Sequence, residues 1–237
     1  NWTGGTLGAF DRKPEDKSAE GFALHYSAAV GKTISFGVVG SSFDTLNKKG
    51  GFAPTRTYAG QFADVASHWS LEYVKTAYEY GLANGTSASA FSPEGTFTVA
   101  QALTAAANIH TAYNGTKVRA AAAGEAWYTP YVAYCIENGI IKDGQFTDYN
   151  KNITRGEMAI VFANILPESE YKAIRTYTLS DMDDTLPSAA AVKKLAEAGI
   201  VGGAGGKYNP QNDIKRGEAC VIFTRIAVAA MRDAKAN

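Results

Sequence analysis

A helix, a glycine stop, a polar loop and a second helix recur three times along this chain, and a unit so small cannot bury an apolar face without its copies. The glycines that end the first helices, Gly81, Gly139 and Gly199, stand 58 and 60 residues apart. The markers of the second helices, Gln101, Glu157 and Glu218, stand 56 and 61 apart. Leu71, Val74, Ala77 and Tyr78 fall at helical spacing, as do Val132, Ala133 and Ile136, and then Val192, Leu195 and Ala196. Ser70 can cap the first of these helices, Pro130 and Pro187 suit a first turn, and each glycine supplies the left-handed residue that ends one. Each helix alone is too short to be stable, so the six are expected to pack on one another.

The second helices open on a capping box. In Thr154-Arg155-Gly156-Glu157 the Thr hydroxyl accepts from the amide three residues on, and the Glu carboxylate reaches back to the Thr amide. Thr98-Val99-Ala100-Gln101 makes the same box with Gln, while Lys215-Arg216-Gly217-Glu218 keeps only the Glu half. The apolar residues Phe97, Ile153 and Ile214 precede the three boxes. Arg155 and Arg216 then occupy the first helical position, beside the positive end of the helix dipole. A guanidinium there, together with unpaired helix amides, would grip a carboxylate or phosphate. The alternative is that both arginines are surface residues paired to nearby acids. Val99 stands at the same place in the first unit and can do neither.

Composition limits the partners. The 23 Lys and Arg balance 23 Asp and Glu, so the clustered positive charge of a nucleic-acid or anionic-membrane binder is lacking, and no apolar run approaches a membrane span. Cys135 and Cys220 are too few for a disulfide framework and too far apart for a metal knuckle; they read as small buried hydrophobes, with a single long-range bridge as the alternative. His25, His68 and His110 show no ligand spacing, no nucleophile elbow or phosphate loop appears, and no cofactor is expected. Asp181, Asp183 and Asp184 precede a helix, where acidic residues favour the dipole. The chain starts at Asn1 without Met or a signal core, as a processed protein or excised fragment would.

Residues 1–60 do not follow the repeat. Phe22, Leu24, Tyr26 and Ala28 alternate, Gly31-Lys32 interrupts, and Ile34, Phe36 and Val38 alternate again, which predicts a β-hairpin. The expected organisation is a mainly α chain: a hairpin-containing segment over 1–60, then repeats over 61–115, 116–170 and 171–237.

The repeats resemble three tandem S-layer homology (SLH) domains. The first unit matches that pattern at Phe62, Asp64, Val65, Trp69, Gly81, Gly85, Phe91, Pro93, Thr98 and Ala100. The second keeps Trp127, Gly139, Ile153, Thr154, Arg155 and Glu157, with Ala122 where Asp is expected. The third keeps Asp181, Gly199, Gly203, Tyr208, Pro210, Ile214, Arg216 and Glu218 but lacks the Trp. The resemblance implies a pseudo-threefold assembly of helical prongs, with grooves between successive units that hold the Arg-bearing motif. It implies a non-catalytic module anchoring a bacterial surface protein, outside the cell, to a secondary cell-wall polysaccharide that carries pyruvate ketals on an amino sugar. A ketal carboxylate is the acid that Arg155 and Arg216 would grip, with Lys215 as a second cation where the Thr is lost. Sugar rings stack on aromatics, and their hydroxyls meet backbone in glycine-permitted loops. Trp69, Trp127, Asn84, Gly85, Thr86, Ser87, Gln101 and Gly203 are therefore expected near a groove, although each Trp could instead be a core wedge. Two other readings are a protein–protein assembly element of a surface layer and the anchor of a wall-active hydrolase.

Overall fold

The computed structural model describes residues 52–235, together with the backbone of two earlier strands. The chain divides into two compact units, Asn1–Lys49 and Gly50–Asn237.

In the first unit, β1 (Thr6–Arg12) pairs antiparallel with β2 (Phe22–Ser27), Thr6 opposite Ser27 and Arg12 opposite Phe22, with an irregularity between Leu7 and Phe10. The strand expected from Phe22 is present, but its partner lies upstream. The expected second arm through Ile34, Phe36 and Val38 falls outside the described residues.

The second unit is helical: α1 (Leu71–Glu79), α2 (Val99–Asn114), α3 (Thr129–Glu137), α4 (Arg155–Phe162), α5 (Ala189–Glu197) and α6 (Arg216–Ala227). No helix among the described residues is long and apolar enough to cross a membrane. Gly81, Gly139 and Gly199 lie just past α1, α3 and α5 with φ of 72°, 68° and 72°, the left-handed geometry that ends a helix at no steric cost to glycine. Thr98 and Thr154 form complete capping boxes with Gln101 and Glu157. At α6 the Lys215 amide donates to Glu218 Oε2 at 3.0 Å, the half box expected where Lys, which accepts nothing, replaces Thr.

The six helices form three successive pairs, or arms, α1–α2, α3–α4 and α5–α6, and they interlock between arms. α1 packs on α6, α3 on α2 and α5 on α4, so each first helix rests on the second helix of another arm. The core this makes includes Leu103, Ile109, Met158 and Ile222, with Phe223 stacked on Phe162 at 5.3 Å and tilted against Phe97 at 6.0 Å.

The residues before the capping boxes close a ring at the centre. The Phe97 amide donates to Ile214 O at 3.3 Å, the Ile214 amide to Ile153 O at 3.1 Å, and the Ile153 amide to Phe97 O at 2.9 Å. Their side chains are buried, so the three apolar residues of the sequence motif are the plug through which the arms meet.

One part of the repeat begins earlier than its sequence markers. The Thr55 and Arg56 amides donate to Glu79 O, and the Arg56 guanidinium donates to Tyr78 O at 2.6 Å and Ala83 O at 2.8 Å. In the third arm Ile174 and Arg175 do the same to Glu197 O, and the Arg175 guanidinium to Ala196 O and Val201 O at 2.7 and 2.6 Å. A cation thus covers the carbonyl end of α1 and of α5, where the dipole is negative. Arg56-Thr57-Tyr58, ahead of residue 61, thus stands to α1 as Arg175-Thr176-Tyr177 stands to α5.

Candidate functional site

The start of each second helix is also the seam between arms. The Arg155 amide donates to Asn212 O and the Gly156 amide to Pro210 O, both at 2.8 Å; the Arg216 amide donates to Gly95 O and the Gly217 amide to Pro93 O, both at 2.8 Å. In the first arm Val99 and Ala100 bond likewise to Lys151 O and Tyr149 O. The next amide of α4 is taken by Thr154 Oγ1 at 3.2 Å. The expectation of unpaired helix amides open to an anion is thereby corrected for the first two amides of α4 and α6, which the neighbouring arm's loop carbonyls fill.

Those groups reach across the same seam. Arg155 Nε donates to Tyr208 O at 2.8 Å and Nη2 to Gly202 O at 3.4 Å, with the guanidinium 4.7 Å from the centre of the Tyr208 ring. Its Nη1 pairs with Glu218 Oε1 at 2.5 Å, so the surface-pair alternative holds for Arg155, in a half-buried form. Arg216 Nε donates to Phe91 O at 2.9 Å and Nη2 to Asn84 O at 2.8 Å, 4.6 Å above the Phe91 ring. Arg216 has no ion pair within 4 Å among the described residues. Burial lowers its pKa, and Asp64 works against that shift. Lys215, expected as a second cation, pairs at the surface through its ammonium with Glu94, which also meets His68 Nε2 at 2.9 Å.

Two aspartates hold the loops that receive these arginines. Asp64 accepts from the Phe91 and Ser92 amides, and Asp181 from the Tyr208 and Asn209 amides at 2.7 Å. Ser92 and Asn209 have φ of 59° and 57°, a left-handed conformation uncommon outside glycine, and the carboxylates hold the turns in it. Burial opposes ionisation of both aspartates, but the paired amides outweigh it and hold each pKa below the usual carboxylate value. Asp181 is thus a loop clasp rather than a helix-dipole residue, and Asp183 turns back onto Thr185.

Residues of three arms meet at one cavity of about 440 Å³, lined by Trp69 and Tyr73 of the first, Arg155 of the second, and Gly203, Glu218 and Arg225 of the third. Trp69 and Trp127 are 58% and 53% exposed, which overturns the core-wedge alternative for both. Trp127 stands edge-on to Tyr128 at 5.5 Å, away from the residues of this cavity. Gly203 is forced, since a Cβ there would come within 2.5 Å of Lys207 O; its amide donates to the Tyr177 hydroxyl at 3.0 Å.

The loop at 84–87 lies on the Arg216 seam instead. Asn84 offers its carbonyl to Arg216 and its Oδ1 to Arg56. A Cβ on Gly85 would meet the Phe62 ring and Ser87 O at 2.5 Å. Thr86 bonds to Ala90 O and Ser92 Oγ, and the Ser87 hydroxyl accepts from Ser89 and Ala90, so these groups build the turn. Gln101 is engaged as the cap of α2, its Oε1 accepting from the Thr98 amide at 3.0 Å.

Sequence reasoning missed Tyr73, Tyr177, Arg225 and Asp233 on the cavity wall. Arg225 bonds only loosely, to Ile200 O and the Tyr73 hydroxyl at 3.3 Å each, and its Nε is buried without a partner among the described residues. It stands late in α6, where no motif marks it. Asp233, paired with Arg175 at 2.9 Å, enters from the tail after α6.

Two segments of the chain match the S-layer homology domain. They are residues 61–103 and 178–220, which lie in the first arm and the third and end early in α2 and α6, so two of the three expected repeats are matched. The middle arm, with Ala122 in place of Asp and no aromatic-x-Pro turn after Gly139, is outside both segments. The chain is similar to the S-layer protein sap of Bacillus anthracis, 25% identical over 202 residues, and to an S-layer protein of Bacillus thuringiensis subsp. finitimus, 25% identical over 203. Each alignment covers 83% of this chain and 25% of the relative, so the chain spans about a quarter of the length of these proteins.

Proposed function

We propose that residues 50–237 form a non-catalytic anchor that holds a bacterial surface protein to the cell wall by binding an acidic wall polysaccharide, with a pyruvate ketal as the acidic group. On this reading the middle arm is a third, divergent repeat, and the arms are related by a pseudo-threefold axis. The closed ring through Phe97, Ile153 and Ile214 supports that axis, since each arm gives one amide and takes one. The two matched SLH segments and the S-layer relatives support a place at the cell surface.

The observation that carries the reading is the cavity where an exposed Trp, a cross-arm Arg and a glycine loop come from three different arms. The aromatic face and close backbone there suit a sugar ring, and the guanidinium of Arg216, on the other cross-arm seam, suits a carboxylate carried by the same polymer. Only the assembled unit presents all three.

The test is sedimentation of the chain with wall sacculi, before and after their non-peptidoglycan glycan is stripped. Retention on native sacculi and release on stripped ones is expected. Equal retention on both would refute polysaccharide binding, and concentration-dependent self-association without any retention would favour the surface-layer assembly role.

A further inference from the structure

The two arginine seams follow one plan but differ in charge. Arg155 donates to Tyr208 O and Gly202 O of the third arm; Arg216 donates to the corresponding Phe91 O and Asn84 O of the first. Beyond these carbonyls, Arg155 meets Glu218, the third residue of the helix that follows the receiving loop. The third residue of the helix that follows the loop receiving Arg216 is Gln101.

Gln and Glu cap a helix equally here. Gln101 Oε1 accepts from the Thr98 amide and Glu218 Oε2 from the Lys215 amide, each at 3.0 Å. The exchange leaves the helix start intact and removes a counter-charge. Arg216 Nη1 accordingly has no hydrogen-bond partner among the described residues. The carboxylate acting on Arg216, Asp64, already serves the Phe91 and Ser92 amides.

An acid approaching Arg155 must displace Glu218 and leave that half-buried carboxylate unpaired, so one charged contact is traded for another with little net gain. The cavity wall carries two cations, Arg155 and Arg225, and two acids, Glu218 and Asp233. An acid approaching Arg216 meets a cation with a free donor. Val99, at the third such place, offers no charge at all.

We infer that the two seams divide the ligand: Arg216 takes the acidic sugar, the Arg155 cavity takes an uncharged one, and Gln101 and Glu218 are the residues that set the difference. This rests on the acidic-glycan reading above. It gives the departure at Thr98-Val99-Ala100-Gln101 two effects, silencing one seam through Val99 and freeing another through Gln101.

The test is calorimetric titration of the full chain with a synthetic pyruvate-ketal amino-sugar glycoside and with its methyl ester, which keeps the shape and loses the charge. Wild type should bind one equivalent of the acid. Gln101→Glu should weaken the acid on the order of tenfold, the size of one charge-assisted contact, and leave the ester unchanged. Glu218→Gln should raise the acid stoichiometry from one to two. Both variants keep a capping residue, and a cooperative thermal transition shows that they fold. Wild-type acid affinity in Gln101→Glu, or one equivalent in Glu218→Gln, would overturn the division while leaving the acidic-glycan reading in place. Wild type that binds neither glycoside would overturn both.

Discussion

Arg155 Nη1 lies 2.5 Å from Glu218 Oε1, joining the first turn of α4 to the first turn of α6 across 63 residues of chain. The same guanidinium ties down two loop carbonyls, so one side chain fastens the second arm to the third and lines the cavity between them. Arg155→Ala should therefore lower stability by about 1–3 kcal/mol, the cost of leaving a half-buried acceptor set unpaired. Urea unfolding should show the loss as a lower midpoint with an unchanged slope, because the surface exposed on unfolding stays the same. An unaltered midpoint would mean that the bridge carries no stability.

Glycine at the second helical position is a packing requirement. A Cβ on Gly156 would stand 2.9 Å from Ser188 Oγ and 3.0 Å from Pro210 O, and that carbonyl is bonded to the Gly156 amide itself. Gly→Ala in a helix ordinarily stabilises by up to about 1 kcal/mol. Here Gly156→Ala should destabilise by about 1–3 kcal/mol, lowering the thermal midpoint by several degrees. Gly217→Ala should cost less, since Pro93 O lies at 3.3 Å, while the corresponding Ala100 already carries its Cβ.

The loop clasps make stability depend on acid. Asp64 and Asp181 have folded-state pKa values below the ordinary aspartate value, so their contribution is present above that value and is lost as pH falls through the lower, folded one. Asp64→Asn with Asp181→Asn should flatten the stability profile below about pH 4 and leave its shape near neutrality unchanged. Chemical unfolding at stepped pH reads this directly, and a slope at low pH equal to wild type would exclude the clasps as its source.

Cys135 and Cys220 are both buried and free, and burial pushes each thiol up to about 12. Neither should react with a thiol reagent at pH 8 in the folded chain, because the thiolate is the nucleophile. Both should react at once in denaturant. Rapid labelling of the native chain would contradict the packing of α3 and α6.

Helix starts and stops were legible in the sequence because their signals are local: a capping box or a left-handed glycine states its geometry within four residues. The destination of the first amides was not. Arg155 looks open to an anion until Asn212 and Pro210, more than fifty residues away, are seen to fill that end of α4. The pairing of Arg155 with Glu218 but not of Arg216 with Gln101 likewise appears only once the arms interlock. Arg56 and Arg175 were readable in principle, since Arg-Thr-Tyr stands before both the first and the third arm. The strand at 22–27 was visible in its alternation, whereas its partner at 6–12 carried no comparable pattern.

The most direct test of the anchor is titration of purified wall polysaccharide into the full chain and into Arg216→Ala, with the folded state of each verified by its far-ultraviolet signal. The account predicts binding by wild type and a loss on the order of tenfold or more in the variant, matching one charge-assisted contact. A folded Arg216→Ala that binds the polymer as wild type does would contradict it.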